Sequence, residues 1–271
     1  MRERHSSRHS TPGRHRSGDA LYGRGFGSGG LGIGPPFTPP VVKQLLIANA
    51  AVFFAQRLGL IPESMFAAIP SDFWQRGFLW QPFTYMWLHG GLGHIAANMF
   101  ALWMFGSPLA LAWGPQRFLR FYLLCGIGAG LIIVTFPWLL VLLGGASPLG
   151  LMIPTLGASG AIFGVLLGYS LTWPDRQILM FPIPIAFRAI WLIPILLFAE
   201  VSFGPANVSH LGHLGGLLVG WLLLRGHGDA ASALSIDHWK YRWRRYRMRK
   251  RLHAVDQDDW RDKNRQGPWL H

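Results

Sequence analysis

The sequence is poor in what a secreted or an ordinary soluble domain is built from. One cysteine, Cys125, stands in 271 residues, which excludes a disulfide framework. Charged residues make up 14% of the chain, against about 25% in soluble domains. Acidic residues are scarcer still, 12 against 25 Lys and Arg. The N-terminal stretch has no short apolar region with a cleavage site, so no secretory signal is expected. What is abundant is apolar: 51% of residues are hydrophobic, in long runs parted by short loops. That pattern predicts an all-α polytopic membrane protein.

The net charge of +13 is concentrated in the tails. Residues 1–40 are rich in Arg, Ser, Gly and Pro, and carry only Glu3 and Asp19 as acids. They read as a disordered basic tail; the Arg/Ser-rich composition also admits a transit peptide. Residues 226–271 form a second basic tail, and Trp239–Arg251 interleaves aromatics with Lys and Arg as a lipid-surface segment would. Basic tails of this kind can bind nucleic acid. Beside membrane spans the positive-inside rule accounts for them better, so no nucleic-acid partner is expected.

Between the tails, residues 41–225 hold six apolar runs, at about 41–60, 92–113, 118–143, 157–173, 188–203 and 209–224. The connection 61–91 is too broken by Pro, Asp, Gln and Arg to span, and 174–187 reads as an interrupted loop. Six spans put both termini on one side, together with Lys43, Arg117, Arg120, Arg176, Arg188 and Arg225. The expected location is a bacterial plasma membrane with both termini cytosolic.

Ionisable residues at membrane depth default to function. His94, Glu200, His210 and His213 fall in or beside the runs. His94 and Asn98 are four apart, so they share one helix face. Ser159 lies in Gly157-Ala158-Ser159-Gly160, at the start of a run with glycines at 160, 164 and 168. His213 is followed by Gly216 and Gly220. Glycine stripes on the fourth and sixth runs predict close helix packing that brings His213 towards Ser159. A serine beside a histidine is the minimum for nucleophilic hydrolysis, and nearby donors supply an oxyanion site.

Three motifs, His89-x4-His94-x3-Asn98, Gly157-Ala158-Ser159-Gly160 and His213-x2-Gly216-x3-Gly220, together resemble the signatures of the rhomboid intramembrane serine proteases. The resemblance implies a six-transmembrane-helix rhomboid bundle whose short central fourth helix carries the serine. It implies Ser159 as nucleophile, His213 as general base, and His94, Asn98 and the Ser159 N–H as oxyanion donors. Phe163 matches the aromatic on which the base stacks. His89, Gly157, Gly160, Gly216 and Gly220 match structural positions. No cofactor or metal is implied. The expected partners are transmembrane protein substrates and the lipid bilayer, cut near the outer boundary; the oligomeric state is open. A catalytically inactive rhomboid-like escort protein and a broken-helix transporter are the alternatives.

The chain departs from the family pattern twice. Gln81 follows Trp80 where Arg is usual, and Ala110 stands where a glutamate is common. The first loop is therefore expected to rely on apolar anchoring by Trp74, Trp80 and Phe83, with Gln81 minor. His210 is expected at the rim of its span and Glu200 to face water.

Overall fold

The computed structural model describes residues 34–180, 185–203 and 210–225. Most of the expected 1–40 tail and all of the expected 226–271 tail lie outside them. The described part is mostly helical: α1 (Pro40–Arg57), α2 (Glu63–Phe66), α3 (Pro70–Gln75), α4 (Gln81–Thr84), α5 (Leu92–Ala101), α6 (Ser107–Trp113), α7 (Pro115–Leu142), α8 (Ser159–Thr172), α9 (Leu192–Phe203) and α10 (His210–Arg225). A π-helical turn, Leu102–Gly106, joins α5 to α6, so Leu92–Trp113 is one helix. Gly114, at φ +86°, ends it, and Pro115 opens α7. Among the described residues, Leu92–Trp113 and Pro115–Leu142 are long and apolar enough to cross a membrane, at 22 and 28 residues.

Residues 174–187 are not simply a loop. They include β1 (Gln177–Met180), which pairs antiparallel with β2 (Ile185–Arg188), Gln177 opposite Arg188 and Leu179 opposite Ala186. The all-α expectation is corrected by this one hairpin.

Helix α8 is the centre. Ten of its 14 residues are buried, on every side, which marks an interior helix rather than a one-faced surface one. Helix α10 is two-faced: Gly212, Gly216 and Gly220 are buried, while Leu214, Leu218 and Leu222 are about half exposed. Lipid tails are as apolar as leucine, so helices in a bilayer gain by close backbone approach rather than by hiding leucines. The glycines provide that approach. A Cβ on Gly216 would overlap the Gly160 carbonyl, and one on Gly220 would stand 3.2 Å from Gly164 Cα. Helix α7 completes the trio, since a Cβ on Gly128 would lie 2.6 Å from Val219.

The segment before α5 is stitched to the segment before α8. Ala68 and Thr155 exchange two backbone hydrogen bonds of 2.8 and 2.9 Å, and the Gly157 N–H donates to the Tyr85 carbonyl at 3.0 Å. Trp74 and Trp138 each donate an indole N–H across the gap between the first loop and α7, to the Val134 and Pro70 carbonyls. The expectation for Trp80 and Gln81 is reversed. Trp80 is 41% exposed, stacked on Phe78 and donating to the Met65 carbonyl. Gln81 is wholly buried, and its Oε1 accepts from the Ile69 N–H at the start of α3. Composition shows a neutral side chain; only the folded loop shows that a buried N–H depends on it.

Candidate active site

Ser159 opens α8. Ala158 before it has no side chain that can cap, so the first-turn N–H groups have no side-chain acceptor. Those groups and the helix dipole favour negative charge beside the serine. Ser159 itself is half-buried. Gly157 holds the approach at φ +129°, a conformation that side chains rarely adopt. A Cβ there would also lie 2.8 Å from His94 Cε1 and Nε2, and 3.8 Å from Ser159 Oγ. The His94 ring edge and the serine hydroxyl thus lie within 4 Å of one common point.

His94 stands in the first turn of α5. Its Nδ1 accepts from the Gly90 N–H at 3.4 Å. That leaves Nε2 to carry the ring proton, on the edge next to Gly157. One turn on, Asn98 is buried, and its Nδ2 has no partner among the described residues. A buried amide donor without an acceptor costs free energy unless something completes it. Two donors on one face of α5 therefore stand ready for an acceptor.

His213 projects from the first turn of α10 and is buried. Its imidazole stacks on Phe163, centroids 4.2 Å apart and planes at 13°. Phe163 lies one turn beyond Ser159 on α8, and the glycine contacts set α10 against that helix. The Nδ1 of His213 meets Glu200 Oε2 at 2.7 Å, so the free ring nitrogen is Nε2. Glu200 also meets His210 Nδ1 through Oε1, at 2.5 Å. The expectation that Glu200 faces water is corrected: its side chain is 9% exposed, because α9 turns it towards both histidines. His210 has a half-exposed side chain.

His89, expected as a structural position, is held by its main chain rather than its ring. Both ring nitrogens are buried without a partner among the described residues. The main chain is what is held: its N–H donates to Gln56 Oε1, and its carbonyl accepts from Gln56 Nε2 and Arg57 Nη2. The ring meets His94 edge-on at 5.2 Å. Burial, and then the neighbouring His94, push the His89 imidazole down to about 4, so it stays neutral.

The sequence alone did not show two residues here, nor the partners of a third. Gln56 clamps His89, and a glutamine inside an apolar run was the available signal. Tyr85 donates its hydroxyl to the Gly126 carbonyl at 2.8 Å and holds Gly157 through its own carbonyl; nothing local marks it. Glu200 was visible as an intramembrane acid but not its partners.

A family model described as Rhomboid domain matches residues 76–227, more than half of the chain. Rhomboid protein 1, mitochondrial, of Saccharomyces cerevisiae is 33% identical over 141 residues, 49% of this chain and 38% of the yeast protein. Rhomboid protease GluP of Bacillus subtilis is 33% identical over 171 residues, 63% of this chain and 29% of that protein. RHOMBOID-like protein 12, mitochondrial, of Arabidopsis thaliana is 31% identical over 193 residues, 66% of this chain and 56% of the plant protein. The chain thus spans less than two thirds of the length of each. Similarity to mitochondrial proteins of eukaryotes overturns the expectation of a bacterial plasma membrane with cytosolic termini. Charge asymmetry reports which side of a membrane a loop faces, not which membrane it is.

Proposed function

The chain belongs to the rhomboid family, whose members are generally intramembrane serine proteases, and from that premise we propose that it is a serine endopeptidase cutting single-span membrane proteins. The working unit is residues 41–225, a bundle of six membrane helices, with basic tails at 1–40 and 226–271. It sits in a mitochondrial membrane, as the names of two of these relatives suggest. Ser159 Oγ attacks the scissile carbonyl carbon as His213 Nε2 takes its proton. The carbonyl oxygen gains the charge and is held by the Ser159 N–H, His94 Nε2–H and Asn98 Nδ2–H. Collapse of this intermediate breaks the C–N bond, and the leaving amine takes the proton from His213. Water, deprotonated by His213, then hydrolyses the acyl-serine. Gly157, Gly160, Gly216 and Gly220 set the distance between the two helices, and His89 supports His94 from behind. Substrates must unwind to expose a peptide bond, which favours Gly or Pro in their helices.

The observation that carries this reading is the His213 ring lying on Phe163, one turn from Ser159, across a glycine-packed helix pair. The test uses a fluorophosphonate probe and a single-span substrate with the purified chain in detergent. Wild type is labelled and cleaves; Ser159→Ala is not labelled and does not cleave; His213→Ala does neither at a measurable rate. Because the two residues act as a unit, the double variant is no worse than either single one. Turnover by Ser159→Ala refutes the proposal, and a folded wild type that never labels points to an inactive escort protein.

A further inference from the structure

The dyad leaves Glu200 without a task, yet its carboxylate is placed as if it had one. Glu200 stands near the end of α9 with a side chain 9% exposed. A carboxylate at that depth is retained only when it is paired. Its two oxygens are both engaged, Oε2 with His213 Nδ1 at 2.7 Å and Oε1 with His210 Nδ1 at 2.5 Å. An ionised carboxylate can only accept hydrogen bonds, so each Nδ1 must carry the proton. For His213 that is the tautomer whose bare Nε2 can act as a base towards Ser159. The second contact, to His210, fixes the rotation of the carboxylate, so that its other oxygen stays on His213.

We infer that Glu200 is a positioning residue for the base, holding His213 in the Nδ1–H tautomer and balancing the imidazolium formed when Ser159 gives up its proton. The inference rests on Ser159 and His213 being the nucleophile and base. Atoms balance without a further reactant. The serine proton moves to His213 Nε2, Nδ1–H stays on His213, and Glu200 remains a carboxylate throughout. Glu200 touches neither substrate nor the attacked carbon and acts only through His213. His210 is a support at one remove, through the rotation of the carboxylate.

The test is made on the full chain in detergent, with kinetics, thermal unfolding and ¹⁵N-histidine spectra side by side. In wild type the resonance lost in His213→Ala reports a ring protonated at Nδ1. Glu200→Gln retains the wild-type unfolding midpoint and KM, but kcat falls between about 10- and 10⁴-fold, the range expected when an orienting carboxylate is neutralised. Fluorophosphonate labelling slows in parallel. Glu200→Asp recovers part of kcat, since it restores the charge at greater reach. Glu200→Gln with wild-type kcat, while His213→Ala is dead, overturns the inference and leaves the dyad standing. An active His213→Ala overturns both. Where Glu200→Gln does not fold, the wild-type spectrum decides: a His213 ring protonated at Nε2 in the resting protein overturns the inference, and one protonated at Nδ1 upholds it.

Discussion

The imidazole of His213 lies flat on the ring of Phe163, 4.2 Å between centroids and 13° between planes. The contact ties His213 on α10 to the helix that carries Ser159, so the orientation of one is referred to the other. Phe163→Leu keeps an apolar side chain but loses the flat face. Aromatic pairs add about 0.5–1.5 kcal/mol beyond area, so kcat should fall by about 2- to 10-fold with KM little changed. Phe163→Tyr should recover it. Wild-type kcat in the leucine variant would reduce the stack to packing.

Gly216→Ala should be damaging out of proportion to one methyl group. The new Cβ overlaps the Gly160 carbonyl, which is backbone and has no flexible end to swing away. Overpacking of this kind costs about 1–3 kcal/mol. Separating α8 from α10 by about 1 Å can cost roughly 100-fold in rate. Gly150→Ala is the control, since nothing lies within 4 Å of its Cβ position. Thermal unfolding and cleavage of both variants check the contrast; equal midpoints would refute it.

Gly157→Ala attacks the site from the other side. The alanine must adopt φ near +129° and push against the His94 ring at 2.8 Å. Left-handed backbone costs about 1–3 kcal/mol, and relief by moving His94 removes a proposed oxyanion donor, a loss worth about 100-fold or more. Cleavage should therefore fall further than the unfolding midpoint alone predicts. Parallel losses would mean the glycine serves only the turn.

In the first loop, Gln81→Ala should destabilise more than Trp80→Ala. Removing Oε1 leaves the buried Ile69 N–H without its acceptor, at about 1–3 kcal/mol, and opens a void as well. Trp80 stands at the rim, 41% exposed. Unfolding midpoints in one detergent decide it, and the opposite order would show that interfacial aromatics dominate the anchoring.

Acid should weaken the fold through His89. The unfolded imidazole takes a proton below about 6.5, while burial and His94 hold the folded one down to about 4. Between those values the unfolded chain binds more protons, so stability falls as pH falls, and this contribution levels off below about 4. His94 faces the ring, and Arg57 and Gln56 hold its main chain, with Gln56 also bonded to Glu63. His89→Phe gives the ring nitrogens nothing to lose and should flatten the midpoint-against-pH curve across that window. An unchanged slope in the variant would place the acid sensitivity elsewhere.

What the sequence discloses is what is carried by spacing. Glycines four apart on two runs foretell a close helix pair, because only a repeating absence of side chains lets backbones meet. His94 with Asn98, and Ser159 with Phe163, are single-turn relations that hold on any helix. What needs the third dimension is hidden. Glu200 lies ten residues from His210 and meets it only because the end of α9 and the start of α10 come together. Gln81 counts as polar in composition yet is buried, because a backbone N–H at position 69 needs it. The β1–β2 hairpin is masked by prolines that lie between its strands. The membrane in which the chain resides was misjudged because tail charge carries sidedness and no address.

The brevity of α8 has a further consequence. Fourteen residues rise about 21 Å, while the hydrocarbon of a bilayer is about 30 Å thick, and the neighbouring α7 has 28 residues. On the proposed reading, in which α8 crosses the bilayer, a helix some 9 Å short sets the Ser159 end below the lipid boundary. The bilayer would then be a dimension of the proposed catalyst. On that reading longer acyl chains should deepen the recess, lengthen the path that water and an unwound substrate must travel, and slow turnover with no residue changed.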